Sequence, residues 1–177
     1  DSNSDEKNSK YYSKDEGILS IMYHRFNENK YPSTNIRMNV FVEQMKIIQE
    51  LNYTFSDPKL LIKNFDKPKS KKEILLTIDD GFKSFYKEAW PYLNENKIPF
   101  ILFISTEPIG KNGYMNWDEI KEIQNSNLGM IGHHSHTHEY LIDMNNDDFI
   151  NDIKVASKIF KKELGYVPKI FSYPFGE

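Results

Sequence analysis

The chain has 177 residues, a formal net charge of −3 and no cysteine. Its length suffices for one domain with a sizeable core, and the lack of cysteine excludes disulfides and thiolate metal ligands. Lys and Arg are scattered without a basic stripe, which argues against a nucleic-acid partner. No apolar stretch approaches the roughly 18–20 residues of a membrane-spanning helix, and no signal peptide is visible.

Residues 1–16 are polar and poor in aliphatic side chains, and the first residue is Asp1 rather than Met. This composition reads as a flexible tether of the kind found after a cleaved export signal or lipid anchor. Order is expected from Gly17 onward. The run ILSIMY at 18–23 predicts a buried strand ending at His24, and apolar residues at Val40, Phe41, Met45, Ile47, Ile48 and Leu51 space out an amphipathic helix over 39–51. Residues 53–72 read as connection, with a helical turn near 59–63 and a solvated KPKSKK loop at 67–72. A second buried strand, EILLTI at 73–78, runs into Asp79-Asp80-Gly81.

A helix is expected over 82–96, then a third buried strand, FILFIS, at 100–105. Asn116 followed by Glu119 is a capping-box pattern that opens a helix to about Asn125. LGMIG at 128–132 is a fourth strand leading into a histidine cluster, 146–164 a long helix stopped by Gly165, and 169–173 a fifth strand. Strands alternating with helices point to an α/β fold with a mostly parallel sheet, barrel-like or doubly wound. The polar clusters fall where strands end, and in such folds the carboxyl ends of strands carry the active site.

Asp79 and Asp80 come after an apolar strand, so one carboxylate could bind a metal while its neighbour faces substrate; a plain turn is the simpler reading of Asp-Asp-Gly alone. Gly81 permits a sharp turn there. Four of the five histidines lie in His133-His134-Ser135-His136-Thr137-His138. His134 and His138, at i and i+4, would share one face of a helical turn and could chelate one ion; the plain alternative is a surface His-rich loop. His133 and His136 flank the pair and are better placed to support it. Two imidazoles and one carboxylate form a ligand set with room for water, and a second, unligated carboxylate is what a general base needs. His24, the fifth histidine, is either structural or a general acid approaching from another strand end. Pro174 and Gly176 place Phe175 in a rigid loop, a simple turn or a groove wall that offers a backbone N–H to an oxyanion. The eleven Tyr and twelve Phe suit core packing, with some free to line a sugar groove.

Thr77-Ile78-Asp79-Asp80-Gly81 resembles the TFDDG motif of the polysaccharide deacetylases, the NodB-homology domain of carbohydrate esterase family 4. The segment 134–138 is similar to that family's H-[ST]-x-x-H motif. The resemblance runs from about Gly17 to the last residue. It implies a distorted (β/α) barrel that removes acetyl groups from N-acetylated sugars. It also implies Asp79 as general base and Asp80, His134 and His138 as ligands of one divalent ion. Zn²⁺ is the expected metal, with Ni²⁺, Co²⁺ or Fe²⁺ as alternatives. Phe175, with Tyr173 and Pro174 before it in the groove, would supply the oxyanion N–H.

Two departures from the family pattern stand out. Ser172 occupies the place of the Arg that orients the base in the R-x-P-[YF] motif. The chain also stops just after that motif, where most members continue toward a catalytic His. In the circularly permuted group that acts on poly-β-1,6-N-acetyl-D-glucosamine, a biofilm exopolysaccharide, the acid His lies after an N-terminal strand ending Tyr-His. Met22-Tyr23-His24-Arg25-Phe26 resembles that segment, and FSYPFG resembles that group's FAYPYG.

The resemblance therefore implies an exported, metal-dependent N-deacetylase with His24 as its acid, acting on a polymer of N-acetylglucosamine. Its expected partner is the N-acetylated polysaccharide, with membrane tethering through the N-terminus. Rival expectations are a peptidoglycan or chitin-type deacetylase, and a truncated module that grips polysaccharide without turnover. With five strands and no further segments, the barrel is expected to be open or incomplete over 17–177.

Overall fold

The computed structural model describes residues 17–64 and 72–177. The tether expected over 1–16 and residues 67–71 of the basic loop expected at 67–72 lie outside the described residues, while Lys72 of that loop opens a strand. Four apolar runs form the long strands of one sheet. They are β1 (Gly17–Tyr23), β5 (Lys72–Asp79), β6 (Phe100–Ile104) and β7 (Gly129–His133), side by side in the order β1-β5-β6-β7. All their pairings are parallel. Every residue of β6 is buried, as a strand covered on both faces requires.

Between β1 and β5 lie two two-residue strands, β2 (Arg25–Phe26) and β3 (Asn35–Ile36), paired with each other. Helix α1 (Met38–Glu50) comes next, then β4 (Thr54–Phe55) and the short helix α2 (Pro58–Lys63). The expected connection at 53–72 thus contains a strand as well as the helical turn. β4 adds to the sheet by pairing with Glu73 and Ile74 of β5, a contact too short to leave a periodic signal.

The helix expected over 82–96 is two pieces. A π-helical turn covers Phe85–Ala89 and α3 covers Trp90–Glu95. Pro91, in the first turn of α3, has no N–H to donate and its ring crowds the carbonyl four residues back. The helix accommodates it by a wide turn in which the Trp90 N–H reaches the carbonyl of Phe85. Helix α4 (Trp117–Asn125) opens on the expected capping box, with the Asn116 side chain accepting from the Glu119 N–H and the Glu119 carboxylate accepting from the Asn116 N–H. Helix α5 (Asn146–Leu164) keeps its expected bounds and ends on Gly165 at φ 83°.

The expected fifth strand at 169–173 is reduced to a single bridge between Phe171 and His133. Two hydrogen bonds hold it, His133 N–H to Ile170 O and Ser172 N–H to His133 O. Pro168 and Pro174 bracket the segment, and Pro174 starts a 3-10 turn, so no longer ladder forms. The sheet of the described residues is parallel and open; it does not close into a barrel.

The core lies between the sheet and its helices. Phe26, Phe41, Phe85 and Phe100 form a chain of tilted and edge-to-face rings with centroids 5.1–5.8 Å apart. Their burial anchors β2 and α1 to the middle of the sheet, and thereby fixes where the chain after His24 can run.

Candidate functional site

Strand register brings the site together. β1 pairs with β5 up to Tyr23 and Ile78, so His24 comes level with Asp79 one step later. Asp79 lies opposite Phe103 on β6, and Ile104 opposite His133 on β7. The chemistry-bearing residues of three segments therefore leave the sheet at the same edge.

Asp79 ends β5 in regular strand geometry. Asp80 and Gly81 then both take left-handed backbone conformations, at φ 74° and 71°. A Cβ on Gly81 would stand 2.7 Å from Ile104 Cγ2, so the turn needs glycine for space as well as for φ. The Asp80 N–H donates to Phe103 O at 2.9 Å, which ties the turn to β6.

The histidine segment differs from its expectation. Residues 134–138 are an irregular loop, not a helical turn. Ser135 and His138 sit at φ 71° and 60°, which a helix excludes. The two imidazoles meet because the loop doubles back, their ring centroids 5.0 Å apart. The i, i+4 spacing thus picked out two rings that do converge, though through a doubled-back loop and not a helical turn.

Asp80, His134 and His138 bring one ligand atom each to within 4.8 Å of one another. Asp80 Oδ1 lies 2.9 Å from His138 Nε2 and 3.4 Å from His134 Nε2. That oxygen is buried and has no hydrogen-bond partner of acceptable geometry. The nitrogens crowd it without bonding to it, as ligand atoms facing a common point do. His134 Nδ1 stands 2.7 Å from the carbonyl oxygen of Ser172. A carbonyl only accepts, so Nδ1 carries a proton, and Nε2 is the ring atom left to face Asp80. One carboxylate and two imidazoles suit Zn²⁺ or a similar divalent ion.

Asp79 is 3% exposed. Its Oδ1 has no hydrogen-bond partner, and no ion pair among the described residues includes it. The Arg expected from the family pattern to orient this carboxylate has no stand-in among the described residues, none of whose cations pairs with Asp79. Burial pushes the Asp79 carboxyl up to about 6, with His134 pulling the other way. Burial acts on Asp80 too, but the close approach and charge of His134 and His138 hold it well below the usual carboxylate range. The neighbouring carboxylates thus have opposite characters, the arrangement that separates a proton carrier from a permanent anion. Burial also pulls His24 below the ordinary imidazole value, against the attraction of Asp80.

His24, Asp79, Asp80, His134 and His138 line one cavity of about 300 Å³, with Tyr173 and Phe175 on its wall. Pro174, between them in the chain, is buried. A second cavity of about 340 Å³, bounded by Arg25, Tyr31, Phe82 and Tyr114, shares Thr34, Asp80 and His138 with the first. The triad therefore borders open space on two sides.

A family model described as polysaccharide deacetylase matches residues 66–177. The chain belongs to the polysaccharide deacetylase family. Among its relatives, a peptidoglycan-N-acetylglucosamine deacetylase of Bacillus cereus is 30% identical over 84% of this chain and 53% of its own. The poly-β-1,6-N-acetyl-D-glucosamine N-deacetylase of Staphylococcus aureus strain MRSA252 is 25% identical over 92% of this chain and 66% of its own. This polysaccharide deacetylase domain thus spans between half and two thirds of those curated relatives. The solved structure of IcaB from Ammonifex degensii matches with a TM-score of 0.84 at 26% identity, covering 92% of this chain and 76% of that one.

Three contributors to the candidate site escaped the sequence reading. Ser172, noted there only for the Arg it replaces, orients His134 through its carbonyl. Tyr140 stacks on Phe175, with centroids 4.0 Å apart and planes 14° apart, and Phe175 in turn meets His138 edge-on at 4.8 Å. Asp152 accepts from the N–H of both His136 and Thr137. The last had a signal: with Ala156 and Phe160 it forms the buried stripe of α5, where a carboxylate is out of place.

Proposed function

We propose that the protein hydrolyses N-acetyl groups from a polymer of N-acetylglucosamine in a metal-dependent reaction, with the β-1,6-linked exopolysaccharide as its preferred substrate. The observation that carries the reading is a buried, unligated carboxylate, Asp79, next to the convergent triad of Asp80, His134 and His138.

A divalent cation held by that triad would supply Lewis acidity for the acetyl carbonyl and a water acidified toward neutrality. Asp79 takes the proton of the attacking water. The Phe175 N–H donates to the oxygen that gains charge as the carbonyl becomes tetrahedral. His24 protonates the departing sugar nitrogen, and acetate and the free amine leave. The burial that raises Asp79 makes it a better base than a solvated carboxylate.

The β-1,6 preference rests on the place of His24, after an N-terminal strand, and on the name of the S. aureus relative. The higher identity to a peptidoglycan deacetylase favours a second reading, a β-1,4-linked substrate. A polymer substrate of either kind calls for an exported enzyme, with the polar residues 1–16 serving as a tether to the membrane.

The test is acetate release from β-1,6 and β-1,4 N-acetylglucosamine oligomers by the Zn²⁺-loaded protein. Faster release from the β-1,6 series is expected. Faster release from the β-1,4 series transfers the assignment to the second reading. Saccharide binding without acetate release, with added metal, would leave only a binding module.

A further inference from the structure

The loop carrying His134 and His138 lacks a regular hydrogen-bonded ladder, yet its backbone is tightly specified. Its carbonyls are met from the chain just after β6. Thr106 N–H donates to Ser135 O at 3.3 Å, Glu107 N–H donates to His136 O at 3.0 Å, and the Ser105 hydroxyl donates to His134 O. Its amides are met from the other side. The His136 N–H donates to Asp152 Oδ1 at 2.7 Å, and the Thr137 N–H and hydroxyl donate to Asp152 Oδ2 at 3.0 and 2.7 Å. The His138 N–H is taken by Ser135 Oγ at 3.1 Å.

Asp152 is 5% exposed and belongs to none of the ion pairs of the described residues. Desolvating a carboxylate is unfavourable, and α5 needs only an apolar side chain at this stripe position. The three donors that offset its burial all come from the histidine loop. The carboxylate therefore answers a need of the loop rather than of the helix.

We propose that Asp152 is a positioning residue of the metal centre. Its two oxygens fix the amides of consecutive residues, and hence the orientation of both peptide planes. His138 is the next residue, in the left-handed conformation that turns its ring toward Asp80 and His134. Without the clamp those amides would seek other acceptors, and the left-handed turn at His138 would lose its support. Asp152 touches no ligand atom; it acts through the backbone. The proposal rests on the reading that Asp80, His134 and His138 hold a divalent cation.

The experiment measures Zn²⁺ dissociation constants of the metal-stripped full chain by competition with a chromophoric chelator, the visible spectrum of the Co²⁺ form, and thermal unfolding of the metal-free form. Asp152→Asn sets an amide N–H₂ against a backbone N–H. It is expected to weaken Zn²⁺ at least about tenfold and to alter the Co²⁺ bands, while cooperative unfolding persists. Asp152→Glu, which keeps the charge and both acceptors, should recover part of the affinity. Thr137→Val removes only the hydroxyl donor and should weaken Zn²⁺ roughly threefold.

A wild-type Zn²⁺ affinity and Co²⁺ spectrum in Asp152→Asn, even with a lowered melting temperature, would overturn the proposal. If Asp152→Asn does not unfold cooperatively, Thr137→Val decides: weaker Zn²⁺ binding supports the clamp and an unchanged constant overturns it. A wild-type protein that binds neither metal overturns the reading of the triad itself.

Discussion

Asp80 and the two histidines arrive at the same point from differently built pieces of chain. The carboxylate side is the end of a regular strand: Asp79 and Asp80 are placed by β5 register and a glycine turn, and the side chain of Asp79 has little to hold it. The histidine side is irregular backbone held from both faces, by the segment after β6 and by Asp152 on α5. One side spends its geometry on leaving a carboxylate unsatisfied; the other satisfies nearly every polar group. The contrast suits the proposed division of labour, with Asp79 as a proton carrier kept reactive and Asp80, His134 and His138 as ligands kept still.

The largest expected effect separates the two sides by function. Asp79→Asn should reduce kcat by about 10²–10⁴-fold, the usual contribution of a general base, with the metal content unchanged. His134→Ala should lose metal and activity together. Acetate release and elemental analysis on the same preparations check both. Wild-type turnover in Asp79→Asn removes it as the base, and full metal content in His134→Ala removes that residue as a ligand.

A smaller effect appears in stability and has a definite sign. In the metal-free protein the Asp79 pKa rises from 3.8 to about 6, so the folded state prefers the protonated carboxyl. Below pH 3.8 the carboxyl is protonated in both states and folding carries no penalty. Between 3.8 and 6 the penalty grows, and above 6 it is complete. Asp79→Asn should therefore stabilise the metal-free protein above pH 6 by up to about 3 kcal/mol, and the gain should vanish in acid. Asp152→Asn should move stability the other way, by about 1–3 kcal/mol, because it orphans buried donors. Denaturant titrations at two pH values compare them. Equal and opposite shifts are not required, but shifts of the same sign at neutral pH would erase the distinction between the two sides.

The same contrast explains what could be read from the residues. Apolar runs such as EILLTI and FILFIS announce buried strands because burial on both faces leaves no polar alternation, and the residues just past a strand fall at the sheet edge. The placement of Asp79 and Asp80 at that edge was therefore legible, as were α5 with its Gly165 stop and the Asn116–Glu119 capping box. The strand before His24, expected to be buried, is instead the edge strand β1, with Leu19, Ser20 and Met22 exposed. The histidine loop was legible in composition but not in shape. Its path depends on acceptors and donors from the segment after β6 and from α5, thirty residues before and fifteen after, and no local period encodes that. β4 escaped notice because a two-residue pairing has no period. The π-helical turn before α3 is a consequence of Pro91 that helical spacing alone hides.

Tyr140 tests where the supported side ends. Its ring stacks on Phe175, whose backbone is left-handed at φ 59° and whose N–H is the proposed oxyanion donor. Both rings are substantially exposed, at 42% and 57%, so the stack is also open to a sugar face. The two roles predict different kinetics. If Tyr140 holds Phe175 in place, Tyr140→Ala loses a stacking interaction of about 0.5–1.5 kcal/mol, and kcat falls about two- to tenfold with little change in KM. Tyr140→Phe, which keeps the ring, should restore the rate, and Zn²⁺ affinity should stay constant throughout. A raised KM with unchanged kcat would instead make the ring a substrate contact, and the support of the site would end at His138.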